Sequence, residues 1–383
     1  MIENNINNWL DKLQLNNIIK TFTKKCRKPL GVTFEITPVC NLRCVHCYLS
    51  DRKKKENELE LNKIKSILDI LASNGILFLT LTGGEVFTHP DFEEIYVYAK
   101  RKGFVVVVFS NGILLKEKWI KVFNKYPPFL IDISIYGASE ETYLKVTGDG
   151  SGFNKLIDAL NLLKANKLRF ALKTPLLSIN CKDLPDMQII NNRYCKDRLR
   201  YSFDMAPDRD DEAKPLNYEI DNLEAVLLEA SDELTAITLY NKASEKNNWR
   251  IAREKGELIP SHFCYIARSE FHIDYSGNAS ACIECNDRFN VLENDFWNLW
   301  EKMGEYKKIL ACKKYMCIDC DSLYYCKSCP QLRKRKYGNE QIVKKEDCMT
   351  AKLKKKYYVD RVSVKELKQY YEKMKGGELN GLC

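Results

Sequence analysis

The sequence predicts an α/β protein, a partial (β/α)6 barrel of TIM type followed by a small cysteine-rich domain, and three observations carry that expectation. Apolar, β-branched runs recur at 32–36, 77–81, 104–109, 130–135, 170–176 and 199–203, with helix-like segments between them. Strand and helix repeated in this way read as a parallel sheet with right-handed crossovers. In the run 130–135 the isoleucines fall on one face and Asp132 and Ser134 on the other, so helices should cover the first face and ligands the second. From Phe263 onward the rhythm disappears and cysteines crowd together.

Taken in order, residues 1–30 form a polar N-terminal extension with one amphipathic stretch at 9–19. The barrel spans 31–210. Between its first two strands, Ile64, Ile67, Leu68 and Leu71 give the i, i+3, i+4, i+7 stripe of a helix with one buried face. Chemistry is expected at the C-terminal ends of the strands. The run 148–152, Gly-Asp-Gly-Ser-Gly, lacks the Lys-Ser/Thr of a phosphate loop and reads as a flexible connection after the fourth strand. A charged loop at 208–214 and a long helix at 218–240 make a linker region, 211–262. The cysteine-rich domain then occupies 263–350, and a basic helix or tail 351–383.

Composition narrows the class. The chain has 383 residues, enough for two domains with a real core. Its longest apolar runs are of strand length, which excludes a transmembrane helix. The start, Met-Ile-Glu-Asn-Asn, has neither the basic nor the apolar region of a secretory signal, so the expected location is the cytoplasm. In that reducing compartment, sixteen cysteines favour metal ligation over disulfides. The net charge of +9 is concentrated at 331–375, which holds 15 Lys/Arg against 6 Asp/Glu. Such a segment can attract an acidic peptide, a membrane surface or RNA, and reads ahead of any one of these as a solvated helix face.

The chemistry is carried first by Cys40, Cys44 and Cys47, a C-x3-C-x2-C loop directly after the first strand. Three thiolates bound to a four-iron cube leave one iron open, the mark of a reactive rather than a structural site. The loop resembles the signature of radical S-adenosylmethionine enzymes. That resemblance implies that the amine and carboxylate of S-adenosylmethionine chelate the open iron. An electron from the [4Fe-4S] cluster would then release a 5'-deoxyadenosyl radical that abstracts hydrogen. Thr82, Gly83, Gly84 and Glu85, closing the second strand, resemble the motif that holds the amino group of the cofactor. In this reading the glycines let backbone approach the ligand and the carboxylate accepts from the ammonium. Ser110 and Asn111 would face the cofactor pocket after the third strand. Ser134 and Lys173 would contact its ribose and carboxylate, and His46 would pack by the adenine.

A second array follows. Cys264 is followed by twelve residues, Gly277, four residues and Cys282, and later come Cys317-x2-Cys320-x5-Cys326-x2-Cys329 and Cys348. This resembles the seven-cysteine SPASM extension of radical S-adenosylmethionine enzymes, which carries two auxiliary [4Fe-4S] clusters. By that resemblance Cys317, Cys320, Cys326 and Cys348 close one cluster, and Cys264, Cys282 and Cys329 hold the other. The last spacing is x2 where the family usually has x3, and 265–276 holds no further cysteine. The inner cluster therefore has an open iron, or takes a ligand from Cys285 or Cys312. A four-cysteine zinc site in a nucleic-acid-binding protein is the alternative of another class.

The resemblance implies an oxidoreductase that matures a ribosomally made peptide by thioether or carbon-carbon crosslinking, epimerisation or oxidation. A sulfatase-type protein maturase and a cofactor or tetrapyrrole biosynthetic enzyme are the alternatives. The expected partners are the peptide substrate, a separate leader-binding protein and an external low-potential electron donor, with no membrane and no nucleic acid. Cys181 after the fifth strand, the C-terminal Cys383 and Asp204 after the sixth strand are the candidates for hydrogen donor or base.

Overall fold

The computed structural model describes residues 27–49, 52–53, 56–232, 264, 266–312, 315–318, 320–326 and 328–376. Six parallel strands appear where the apolar runs place them: β1 (Gly31–Glu35), β2 (Phe78–Thr82), β3 (Val105–Ser110), β4 (Leu130–Ser134), β5 (Phe170–Pro175) and β6 (Arg200–Ser202). The helices α1 (Leu61–Ser73), α2 (Phe92–Arg101), α3 (Glu117–Lys125), α4 (Glu140–Thr147), α5 (Gly152–Ala165) and α6 (Leu184–Tyr194) fall between them. The sheet is the parallel α/β sheet of a partial barrel. Its helix-facing side chains are the core: Ile131, Ile133 and Ile135 are fully buried, as are Ile64, Ile67, Leu68 and Leu71 of α1. Each such side chain contributes roughly 1.5–3 kcal/mol by leaving water.

The structure corrects the sequence reading in four places, three of them beyond β6. The expected helix at 218–240 begins only at α7 (Asn222–Ser231), because Asp221 caps it, accepting from the Leu223 and Glu224 amides. Residues 233–240 lie outside the described residues. The sheet does not stop at six strands. β7 (Glu270–Ile273) pairs in parallel with β1, and β8 (Asn278–Ser280) and β9 (Phe289–Asn290) follow it antiparallel, giving the order 6-5-4-3-2-1-7-8-9. The start of the cysteine-rich region thus completes the free edge of β1, which would otherwise present unpaired backbone groups.

The run 148–152 is a junction between two helices rather than a flexible connection after a strand. Ser139 caps the start of α4, and Gly148, at φ 78°, ends it in the left-handed conformation that glycine adopts without strain. Finally, α8 (Phe296–Gly304) and α9 (Pro330–Tyr337) are followed by α10 (Lys345–Tyr358), which runs through the expected boundary at 350, and by α11 (Val364–Lys375). Val226 of α7 joins Met349 and Leu353 of α10 and Leu367, Tyr371 and Met374 of α11 in a small second core. The basic charge of this region is partly internal. Lys354, 2% exposed, pairs with buried Glu229 at 2.5 Å, and Arg335 pairs with Glu284 and Asp211. Those charges belong to the fold rather than to a docking surface. Among the described residues no helix is long and apolar enough to cross a membrane.

Candidate active site

The loop that carries Cys40, Cys44 and Cys47 leaves the C-terminal end of β1 and is seated at both ends. At its start, the amides of Gly84 and Glu85 donate to the carbonyls of Thr37 and Val39, each at 2.8 Å. A Cβ at Gly83 would lie 2.2 Å from Thr37 O, and one at Gly84 2.2 Å from Val39 O. Gly83 also has φ +139°. The close approach that demands two glycines here is to the chain's own backbone. Further along, the amides of Arg43 and Val45 donate at 2.9 Å to the carbonyls of Thr147 and Val146, the last turn of α4. The αL cap at Gly148 leaves that turn available to hold the loop.

The three sulfurs are free thiols set among hydrogen-bond donors. Leu42 N lies 3.4 Å and Asn111 Nδ2 3.9 Å from Cys40 Sγ. The Tyr136 hydroxyl lies beside the Cys44 thiol. Arg52, in a charge run that gave no signal in the sequence, donates to Cys44 O at 2.8 Å and sets its guanidinium against the Cys47 sulfur. Burial pushes the Cys40 thiol up to about 11 and that of Cys44 higher still. A bound cation is what reverses such a shift and holds thiolates. One buried and two half-buried sulfurs, N–H donors and one guanidinium fit a [4Fe-4S] cluster with one iron left open.

Glu85 is 1% exposed, and its oxygens accept from Ser110 Oγ (2.8 Å), Asn111 N (2.7 Å) and Phe87 N (3.3 Å). It ties the ends of β2 and β3 together beside the cysteine loop. Burial pushes its carboxyl up to about 7 against those three donors. Thr82 ends β2 opposite Glu35 of β1, and Ser134 on β4 stands opposite Lys173 on β5. Lys173 lies over the Phe109 ring at 3.0 Å and 3.7 Å from buried Asp132, which Arg200 also contacts. His46 has its Nδ1 buried without a partner, and its ring stands 5.5 Å from that of Tyr136.

The structure describes two of the three reactive candidates. Cys181 is 1% exposed in the main core, and its sulfur lies 3.4 Å from a carboxylate oxygen of Glu224 on α7. Asp204 is exposed after β6 and accepts from Ser202 Oγ at 3.0 Å. Cys383 lies outside the described residues.

Sequence reasoning missed the polar centre beneath the loop. Glu35, at the end of β1 and fully buried, accepts from Tyr48 OH (3.0 Å) and Arg209 Nη2 (2.5 Å), and His272 Nε2 of β7 lies 2.9 Å away. Ser280 Oγ lies 3.4 Å from His272 Nδ1 and donates to Cys282 O at 2.9 Å. Hydrogen bonds thus run from the residue after Cys47 to the second cysteine array. Its only sequence signal was polar residues within β-type runs.

That array divides in space. Cys317, Cys320, Cys326 and Cys348 line one cavity together with Arg333 and Lys352. Cys329 lies apart, within electrostatic reach of Cys282 and Cys264. Among the described residues no three His, Cys, Asp or Glu side chains converge on a single metal ion.

Residues 34–183 match the model of the Radical SAM superfamily. Such domains use a [4Fe-4S] cluster and S-adenosylmethionine. The chain is 29% identical over 160 residues to the antilisterial bacteriocin subtilosin biosynthesis protein AlbA of Bacillus subtilis, a match covering 42% of this chain and 36% of that protein. It is 26% identical over 309 residues to the mycofactocin maturase MftC of Mycobacterium tuberculosis, covering 76% of this chain and 75% of the relative. With the AdoMet-dependent heme synthase of Methanosarcina barkeri it shares 25% identity over 335 residues, 81% of this chain and 93% of the other. In fold it resembles Streptococcus suis SuiB bound to S-adenosylmethionine, with TM-score 0.65 and 15% identity over 89% of this chain and 83% of that one. SuiB bound to its precursor peptide SuiA matches with TM-score 0.64 and 16% identity, over 86% and 78%.

Proposed function

We propose that this chain is a radical S-adenosylmethionine enzyme that matures a peptide. The observation that carries the reading is the three-thiol loop, seated on Gly83 and Gly84 at the C-terminal edge of a parallel sheet, with two further cysteine groups later in the chain. When bound, the [4Fe-4S] cluster and S-adenosylmethionine supply a carbon radical able to abstract hydrogen. The chain's own residues do the rest. Cys40, Cys44 and Cys47 hold the cluster, Arg52 offsets its negative charge, and Asn111 donates toward it. Thr82, Gly83, Gly84, Glu85, Ser110, Asn111, Ser134, Lys173 and His46 form the surround of the cofactor.

Cys317, Cys320, Cys326 and Cys348 hold one auxiliary cluster, and Cys264, Cys282 and Cys329 contribute to another. Clusters placed in this way relay electrons to or from a substrate radical. A peptide substrate is supported by the maturase relatives and by the fold shared with SuiB. A leader-binding partner and an external electron donor complete the proposal, and Asp204 is the exposed candidate base.

The second reading is tetrapyrrole chemistry, which the coverage of the heme synthase favours. One experiment decides between them. The reconstituted enzyme is incubated without oxygen with S-adenosylmethionine, dithionite and either a peptide encoded beside its gene or an iron tetrapyrrole, and products are followed by mass. A mass change of the peptide supports maturation; change of the tetrapyrrole alone overturns it.

A further inference from the structure

We propose that Cys285 is the fourth ligand of the inner auxiliary cluster, so that this cluster has no open iron and serves electron transfer rather than substrate binding. The inference rests on the three-cluster reading above and deepens it. It starts from the number of sulfurs: Cys264, Cys282 and Cys329 are three ligands, and a cube closed by protein needs a fourth. Two cysteines remain in the neighbourhood, and the structure treats them differently.

Cys285 is fully buried. It follows Cys282 in a tight turn whose amide donates from Cys285 to Cys282 O at 3.0 Å, and the two sulfurs are within contact. C-x2-C is a spacing that iron-sulfur proteins use repeatedly. The turn is also pinned from both sides. Glu284, between the two cysteines, pairs with Arg335 Nη1 at 2.8 Å, and Arg335 lies on α9, the helix that begins directly after Cys329. That ion pair holds the Cys329 end of the site against the Cys282–Cys285 turn. On the other side the Tyr306 hydroxyl lies beside the Cys285 sulfur and donates to Asp287, and Lys307, the next residue, donates to Cys264 O. These contacts tie the Cys282–Cys285 turn to the helix that follows Cys329 and to the backbone of Cys264.

Cys312 lies elsewhere. It is exposed, its amide donates to Gln341 Oε1 at 2.7 Å, and its neighbour Ala311 packs on Tyr315 and Cys317 of the outer group. As a ligand Cys285 binds as thiolate, releasing one proton, and no electron changes hands.

The test uses the full chain with Cys40, Cys44 and Cys47 changed to alanine, so that only auxiliary clusters are seen. This parent should hold about eight irons after anaerobic reconstitution. Cys285→Ala should lose up to about four of them or show the EPR signal of a three-iron cluster, whereas Cys312→Ala should match the parent. Cys285→Ser, nearly isosteric, guards against misfolding: it should keep the parent's far-UV circular dichroism while shifting the EPR spectrum and midpoint potential of one cluster. Added thiol should leave the parent's spectrum unchanged and alter that of Cys285→Ala. A Cys285→Ser protein with the parent's iron content, spectrum and potential overturns the proposal. A parent with no auxiliary iron overturns the three-cluster reading itself.

Discussion

Glu35 shows how much one side chain settles here. Burial alone would raise its carboxyl, but His272 and Arg209 outweigh that and hold it down to about 2. An acid held below its unfolded value, about 4.3, contributes stability that is fully present above that value and lost as pH falls toward 2. Acid unfolding followed by circular dichroism should therefore show a stability loss in this window that Glu35→Gln lacks. At neutral pH the same substitution leaves Arg209 and His272 around a neutral amide. Removing one partner of a buried ion pair typically costs about 3–5 kcal/mol, to be read as a lower midpoint in denaturant. Gly84→Ala is a second residue-scale case. Its Cβ would meet backbone at 2.2 Å, with no flexible side chain to give way, so the cysteine loop must shift. The variant should fold and keep its auxiliary clusters while losing about four irons, measured by iron analysis against the parent. Both the cysteine loop and the glycines were legible in the sequence because spacing alone marks them. Glu35 and Arg209 were not, because they meet across 174 residues that no local pattern joins, and Arg52 was hidden in a run of charged residues.

At the scale of elements, the six barrel strands and α1 were legible because apolar periodicity is a local property that burial then uses directly. β7 was not. Glu-Phe-His-Ile is four residues long, has a polar residue at two positions, and becomes a strand by pairing with β1, over 200 residues away. The helix at 218–240 was overextended because the apolar stripe gives no start signal, whereas the Asp221 cap fixes one. The role of β7 predicts a consequence for truncation. A chain ending at residue 262 leaves β1 as an open edge and removes His272 from Glu35. Such a fragment should aggregate or elute as oligomers in size-exclusion chromatography, while the full chain does not.

Over the whole molecule, the second cysteine array is an extension of the first site rather than an appendage. The sheet is continuous from β6 to β9, and hydrogen bonds run from Tyr48 through Glu35, His272 and Ser280 to the Cys282 backbone. The division of the array into two groups followed from the family resemblance, and the cavity around Cys317, Cys320, Cys326 and Cys348 has the same membership. The most direct test of three clusters working on one cofactor is anaerobic reconstitution of the full chain. Iron, sulfide and zinc are then counted, and 5'-deoxyadenosine is quantified after addition of dithionite and S-adenosylmethionine. The account predicts about twelve irons per chain and cofactor cleavage that Cys40→Ala abolishes. Zinc in place of iron, with no 5'-deoxyadenosine formed, would contradict it.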